Sequence, residues 1–397
     1  MAEALLSIEE ALELVLARVR PLEAEEVALA DAAGRVLAEP ARSAVDLPPF
    51  PSSAMDGFAV RAADAPGTLP VAGSVAAGRP ASRPLARGEA VAISTGGVVP
   101  EGADAVVPIE LVEERDGSVV IRDNVVVGDN VRERGGDLRR GELVVDAGVR
   151  LSPARVGALA AAGVTSVRCT RVPRVVVVVT GTELRAPGEP LAPGQIYDSN
   201  GFILAAQLRS AGAAVERVPP VADDEAATRA AVERGLAADV LVTTGGVSVG
   251  VHDLVRSVEA ELGVEEVFWR VAMQPGKPVA FGVRGRTLVF GLPGNPVSSL
   301  VGFELFVRPA LLALQGLADP RPAFRPGRLA RPARRLAARD ALLRARTRVD
   351  GDTVLLDPLT GQQSHMIAQA ASADALVLVP QGEGELAEGT AVRYLPL

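Results

Sequence analysis

Three acidic side chains stand in or between three glycine-rich stretches, and that combination suits a phosphorylated ligand with a hard cation. The stretches are T-G-T-E-L (residues 180 to 184), T-T-G-G-V-S-V-G-V-H-D (243 to 253) and G-L-P-G-N-P (291 to 296). Glu183 and Asp253 lie inside two of them, and Asp223 lies in an acidic turn between these two. Mg²⁺ is usually held by one or two carboxylates together with substrate phosphate oxygens. Paired glycines such as Gly245 and Gly246 let backbone N–H groups turn outward as an anion nest ahead of a helix. Asp223 and Asp253 also sit where a helix cap is expected, so a structural role competes with the metal for both. Neither a P-loop lysine motif nor G-x-G-x-x-G is present, so ordinary NTPase and dinucleotide sites have no support.

Lysine and arginine together number 41, yet Lys277 in Q-P-G-K-P is the only lysine. An ammonium is compact and rotatable where a guanidinium is a wide planar fork, so a tight oxyanion site could require it. Chance retention on a surface turn is the competing reading.

Positioning these residues takes alternating strands and helices, which residues 174 to 316 supply. R-V-V-V-V-V-T-G is a β-branched run suited to a parallel strand buried on both faces. A helix follows with Ser199 or Asn200 as its cap, then a short strand, then a helix capped by Asp223 or Asp224. D-V-L-V-T-T-G-G and T-L-V-F-G read as further strands, and a long helix with Pro296 in its first turn closes the domain. The expectation is an α/β domain with a parallel sheet. Ligands bind outside the carboxyl ends of such strands, so the glycine stretches and the acids should open onto one edge.

The flanking regions read differently. Helix is expected to about residue 45, then a β-rich insertion of short Pro, Gly and Val segments, with helix again over 151 to 168. After Pro320, short strands predict a small C-terminal β domain. The expected division is a helical linker domain (1–45 and 140–172), the β-rich insertion (46–139), the α/β domain (173–318) and the C-terminal β domain (319–397). The fold class is thus multidomain, α/β and β, without internal repeats.

Composition excludes several classes of function. The 397 residues exceed one ordinary core, and with 3% aromatics the cores must be built mainly from Val, Leu and Ala. No apolar run is expected to reach the roughly 18 residues that span a bilayer, and the acidic N-terminal stretch reads as an amphipathic helix rather than a leader. One cysteine, Cys169, excludes an intramolecular disulfide and favours a reducing cytoplasm. Two histidines, His252 and His365, are too few for a zinc site. A net charge of −8 argues against nucleic acid. Residues 321 to 348, with ten arginines against one acid, keep that rival open, but the stretch lacks a run of interleaved aromatics for base stacking.

The insertion adds exposed-looking loops, and with them a pattern emerges along the whole chain. S-A-M-D-G-F-A-V, S-T-G-G-V-V-P-E-G-A-D-A-V-V, R-E-R-G-G-D-L, V-V-T-G-T-E-L, I-Y-D-S-N, T-T-G-G-V-S-V-G-V-H-D, Q-P-G-K-P and G-L-P-G-N-P-V-S occur in this order. Together they resemble the molybdopterin molybdenumtransferase family, the gephyrin E domain-like enzymes of molybdenum cofactor biosynthesis. The resemblance implies an elongated four-domain subunit forming a homodimer, with an α/β domain resembling molybdopterin adenylyltransferase, itself an implied partner. The implied reaction takes adenylylated molybdopterin and molybdate, releases AMP with Mg²⁺, and leaves molybdenum on the pterin dithiolene.

By motif, the family's functional positions fall on Asp56 in S-A-M-D-G, Thr95 in S-T-G and Asp137 in R-G-G-D. They continue with Glu183, Asp223 and Asp253, then Pro293, Pro296 and Ser364. Asp56, Asp137, Glu183, Asp223, Asp253 and Lys277 form the candidate catalytic set, with Glu183, Asp223 and Asp253 as metal ligands. Candidate binding residues are Thr95, Thr180, Gly181, Gly245, Gly246 and Ser248 on the glycine loops. Arg270, Gln274, Pro293, Gly294, Pro296 and Ser364 complete them.

Two departures from the family pattern bear on substrate preference. The common F-D-N-S-A-M-D-G begins here as Phe50-Pro51-Ser52-Ser53, and Arg270 and Gln274 stand where some members carry lysine. They leave open a pterin-binding scaffold without turnover as the alternative, and molybdate against tungstate as the metal oxyanion. An elongated dimer could also place one subunit's insertion over its partner's cleft.

Overall fold

Five consecutive valines set the architecture of the α/β domain. In the strand Arg174–Val179, Val175, Val177 and Val179 face one core while Val176 and Val178 face another, and all five are buried. Burying each side chain contributes roughly 1.5–3 kcal/mol. One core packs the helices Asn200–Ser210 and Ile8–Arg18 and the closing helix against the sheet. The other packs Glu225–Gly235 and Leu254–Glu261. The computed structural model describes residues 5–245 and 254–397.

Sheet order is Ala214–Arg217, Arg174–Val179, Val240–Thr244, Thr287–Leu292, Ala280–Arg284, Glu265–Trp269. The first four strands are parallel, as expected, but the last two pair antiparallel, so the sheet is mixed. Only Gly285 and Arg286 link Ala280–Arg284 to Thr287–Leu292. A two-residue link permits a hairpin and no crossover.

Two further expectations change. The N-terminal helix runs only over Ile8–Arg18, opened by a Ser7–Glu10 capping box, and the strand Ala24–Ala28 follows. Pro21, three residues beyond the last helical position, has no N–H to continue the helix. The closing helix, Pro296–Leu314, is 19 residues long with mean hydropathy 1.6, enough by length and composition to cross a bilayer. It is 78% buried inside the fold, and Glu304 within it receives a two-pronged ion pair from Arg308 and a hydrogen bond from Gln207. It is a core helix with a wide π-helical turn at Phe303–Val307.

The C-terminal strands close into a barrel. Asp340–Asp350 pairs with both Thr353–Pro358 and Ala375–Val379, and Arg325–Leu329 and Ala391–Pro396 complete the ring. Its interior holds Leu329, Leu356, Val377 and Tyr394, while Leu342, Leu376 and Leu395 join the core of the α/β domain.

The chain groups into two compact units, one of residues through 25, 34–38 and from 169 onward, the other of 26–33 and 39–168. The second contains a six-stranded sheet in the order Ala105–Pro108, Gly57–Val60, Ala90–Ile93, Gly67–Val75, Ser118–Ile121, Val112–Arg115. The helix expected over 151–168 runs only over Pro153–Ala161, and the strand Ser166–Thr170 begins inside that stretch.

At the amino end of the central strand Val240–Thr244, the Arg171 guanidinium donates to both Asp239 oxygens at 2.7 and 2.6 Å, and the Arg174 N–H adds a third bond at 2.7 Å. Burial pushes the Asp239 carboxyl up, but Arg171 and the Arg174 N–H outweigh it and hold it below the usual carboxylate range. A carboxylate depressed by folding stabilises the protein above its unfolded pKa of about 3.9 and loses that contribution as pH falls further. Asp239→Asn should therefore lower stability at pH 7 by about 2 kcal/mol in urea unfolding. The gap from the unmodified protein should narrow below about pH 4. Equal stability at pH 7 would show that the fork contributes nothing.

Candidate functional site

The four parallel strands end at Val179, Arg217, Thr244 and Leu292, and the segments that follow them surround a cavity of about 670 Å³. The first glycine loop brings Thr180, Gly181 and Glu183 to it. Asp223 and Gly245 come from the next two segments, and Pro293, Gly294 and Pro296 from the last. Eight sequence-predicted residues thus share one cavity at the expected edge.

Backbone hydrogen bonds lock these loops together. Thr180 N–H donates to the Thr244 carbonyl at 3.0 Å and Gly181 N–H to the Val221 carbonyl at 3.0 Å. Gly245 adopts φ +93°, and a Cβ there would lie 2.4 Å from the Thr180 carbonyl oxygen. Only glycine meets both conditions.

The capping ambiguity is resolved. Asp224 caps the helix Glu225–Gly235 by accepting from Ala227 N–H at 2.8 Å. Asp223 instead turns to the first loop, where its Oδ2 accepts from the Thr182 N–H at 3.1 Å and the Thr182 hydroxyl at 3.0 Å. Glu183 folds back toward Gly181, whose position leaves room for it: a Cβ on Gly181 would lie 2.8 Å from Glu183 Oε2. Neither Ser199 nor Asn200 caps the helix Asn200–Ser210 with its side chain. Asp198 does so, its Oδ1 accepting from Gly201 N–H at 2.8 Å, three residues on, as a capping side chain does.

The remaining candidates spread out. Lys277 is half-buried beside Pro278, which lines the cavity, and its carbonyl accepts from Val271 N–H at 2.9 Å. Gly276 makes that turn at φ +102°, with a hypothetical Cβ 2.5 Å from Met273 Cε. Arg270 stacks on the Trp269 ring at 3.7 Å, which Arg256 also covers at 4.1 Å. Gln274 is exposed on a short strand that pairs with Asp340 and Ala341. Neither Arg270 nor Gln274 lines the cavity, so the expected polar trio is not assembled there. A cation stacked on an aromatic face and a strand paired in the barrel sheet hold these two elsewhere.

Ser364 is tied to the closing helix by its backbone: its carbonyl accepts from Val297 N–H at 3.1 Å, in the first turn of that helix. The neighbouring His365 lines the cavity. Their loop is held by Arg344, 1% exposed, whose guanidinium donates to the carbonyls of Met366 at 2.7 Å, Gly361 at 2.8 Å and Gln363 at 3.2 Å. Burial pushes this guanidinium's pKa down.

Asp56, Thr95 and Asp137 belong to the second unit. Asp56 Oδ1 accepts from Thr95 N–H at 2.7 Å, so the structure joins these two motif residues directly. Ser53, the residue after the departure from the family pattern at Pro51 and Ser52, is fully buried and braces both loops: its hydroxyl donates to the Met55 carbonyl and its N–H to the Gly97 carbonyl. Asp137 is exposed on a loop anchored to the Leu47 carbonyl and folded around Asp46, which binds Arg134 and the Arg140 N–H. Gly246, Ser248, His252 and Asp253 lie outside the described residues.

Among the described residues, no group of three His, Cys, Asp or Glu side chains is placed to hold a metal ion. Glu183 and Asp223 nonetheless offer hard oxygen donors in one cavity, the set Mg²⁺ uses when substrate phosphate completes its shell. Sequence reasoning missed Asp198, Thr244 and Asn200 on the cavity wall. The I-Y-D-S-N stretch carried the signal for two of them, but it served only as a family motif and, at Ser199 or Asn200, as a helix cap.

A polar cavity at the carboxyl edge of an open α/β sheet, built from glycine loops and acids, defines a protein that acts on an anionic small molecule. Residues 6–163 match the MoeA N-terminal region (domain I and II), 176–313 the probable molybdopterin binding domain, and 325–397 the MoeA C-terminal region (domain IV). The molybdopterin molybdenumtransferase 2 of Mycobacterium tuberculosis is 38% identical over 98% of this chain and 99% of its own. That of Haemophilus influenzae is 39% identical over 75% of this chain and 74% of its own. A crystal structure of the molybdopterin biosynthesis MoeA protein from Pyrococcus horikoshii superposes with TM-score 0.83 at 35% identity, covering 99% of both chains. The chain belongs to the molybdopterin molybdenumtransferase family.

The two neighbouring acids should separate experimentally. Asp224→Ala removes a cap, which costs about 1 kcal/mol, and should speed amide hydrogen exchange at Ala227. Asp223→Ala should speed exchange at Thr182 and leave Ala227 protected. The opposite pattern would reassign the cap.

Proposed function

We propose that this chain transfers molybdenum from molybdate to adenylylated molybdopterin and releases AMP, the final step of molybdenum cofactor biosynthesis. The observation that carries the reading is one cavity holding Glu183, Asp223 and Gly245. Its volume of about 670 Å³ lies within the range of small-molecule sites. Glycine-loop amides suit the phosphates, and the Thr182 bonds to Asp223 fix one carboxylate before substrate arrives. Mg²⁺, held by Glu183 and Asp223 with Asp253 as a third ligand, would offset negative charge on the phosphoanhydride so that AMP leaves more readily. Lys277, beside the cavity wall, supplies a compact positive charge for an oxyanion. Asp56, Thr95 and Asp137 remain assigned to the reaction by their motifs, as do Gly246, Ser248 and Ser364.

The same reading includes a homodimer, checked by native mass, and the division into four domains. It also takes a molybdopterin adenylyltransferase as the source of the substrate. The reaction is assigned to the cytoplasm, in keeping with a lone buried cysteine.

The deciding experiment incubates the protein with adenylylated molybdopterin, Mg²⁺ and molybdate and follows AMP. Release of AMP that requires the protein supports the reading. Binding without release would leave a scaffold, and neither would sink both.

Two substitutions test individual roles. Glu183→Gln should raise the Mg²⁺ needed for half-maximal AMP release by about tenfold, the equivalent of one charge-assisted contact. An unaltered Mg²⁺ titration would remove Glu183 from the metal site. Lys277→Arg keeps the charge but should raise the molybdate KM, because the fork does not fit where the ammonium does. Unchanged kinetics at low molybdate would make the lone lysine an accident of composition.

A further inference from the structure

On the floor of the cavity, three buried side-chain atoms have no hydrogen-bond partner: Thr180 Oγ1, Asp198 Oδ2 and Asn200 Oδ1. Asp198 is accounted for within the fold, since its other oxygen caps the helix and its carboxylate lies 3.6 Å from Arg217. Asn200 is not. Its Nδ2 donates to the Gly294 carbonyl at 2.8 Å and to Thr244 Oγ1 at 3.0 Å. The Gly294 carbonyl can only accept, so the amide cannot be flipped without setting oxygen against oxygen. Oδ1 is therefore held away from these partners, in a residue only 6% exposed.

Leaving a buried acceptor unpaired costs about 1–3 kcal/mol. The surrounding network keeps it in place: Thr244 Oγ1 bonds the Pro293 carbonyl and Ser299 Oγ, and Ser299 Oγ donates to the same carbonyl. The cavity thus carries a fixed acceptor, with the Thr180 hydroxyl as a second free polar atom. A phosphate, a thiolate or a metal oxyanion brings only lone pairs at neutral pH and cannot satisfy Oδ1. A nitrogen heterocycle can.

We propose that Asn200 is a specificity-determining residue whose Oδ1 accepts a hydrogen bond from an N–H on the substrate's heterocycle. This rests on the function proposed above, whose substrate has two such groups: the pterin, with a ring amide N–H and an amino group, and adenine, with an amino group. In either case the Asn200 floor receives a base edge, and the phosphates lie toward the glycine loops.

Calorimetry with two ligand pairs tests the inference: pterin-6-carboxylate against its 3-methyl derivative, and AMP against N6,N6-dimethyl-AMP. The unmodified protein should favour the N–H-bearing member of one pair by about tenfold, as expected for one buried hydrogen bond. That pair identifies the base. In Asn200→Ala the preference should fall to near unity. Asn200→Ser, which keeps a hydroxyl toward Thr244 but withdraws Oδ1, should do the same and serves if the alanine variant does not fold. A purely structural role for Asn200 would weaken both members of a pair alike and leave the ratio unchanged, which overturns the inference. No preference in either pair for the unmodified protein also overturns it. Release of AMP from the complete substrate is measured in parallel, so that intact release with unchanged ratios sinks this inference alone, whereas absent release sinks the function.

Discussion

The close approach of Gly245 to the Thr180 carbonyl is the constraint on which the cavity depends. Two neighbouring parallel strands end at Val179 and Thr244, and the Thr180 N–H bond to the Thr244 carbonyl carries their pairing one residue further. The next residue must then leave the sheet in a left-handed conformation with its Cα against a backbone oxygen. Any side chain there would separate the first and third loops. With glycine, the turn at Gly245 also comes close to the Gly294 loop: a Cβ on Gly294 would lie 3.6 Å from Gly245 Cα.

Polar interactions then fix what apolar packing leaves free. The valine-rich strands supply a rigid base, but loops have no such packing and are held by side chains bonded to backbone. Asp223 holds Thr182, Asn200 holds Gly294, and Arg344 holds the loop that carries Ser364 and His365. Arg344 does this with carbonyls alone, and burial of an uncompensated guanidinium is tolerated because three backbone acceptors share its protons. The second unit uses the same device, with Ser53 and Asp56 tying the 94–97 loop to S-A-M-D-G. Ser53, next to the departure from the family pattern at Pro51 and Ser52, is thus part of a buried brace, and the Asp56–Thr95 contact is in place.

Much of this was legible in the chain. Five valines in a row announce a strand covered on both faces, and glycines next to acids at successive strand ends announce a polar edge. The order of eight short motifs identified the family. What misled were features whose outcome depends on which neighbours a side chain or strand meets in space. Arg270 reads as a free cation until Trp269 and Arg256 are seen around it. Asp223 and Asp224 are indistinguishable as caps until one finds Ala227 and the other Thr182. The antiparallel edge of the sheet depended on a two-residue link being too short for a crossover.

The sequence by itself determined the strands, the glycine turns and the chemistry of the cavity wall, because burial periodicity and backbone conformation are properties of a few neighbouring residues. Only the tertiary structure decided which polar atoms are used up and which are left over. Asn200 looked like a helix cap, and its Oδ1 became a free acceptor only because Gly294, 94 positions away in the chain, and Thr244 took its amide hydrogens. Hydrogen-bond satisfaction is a sum over all neighbours in space, and a local pattern cannot supply that sum.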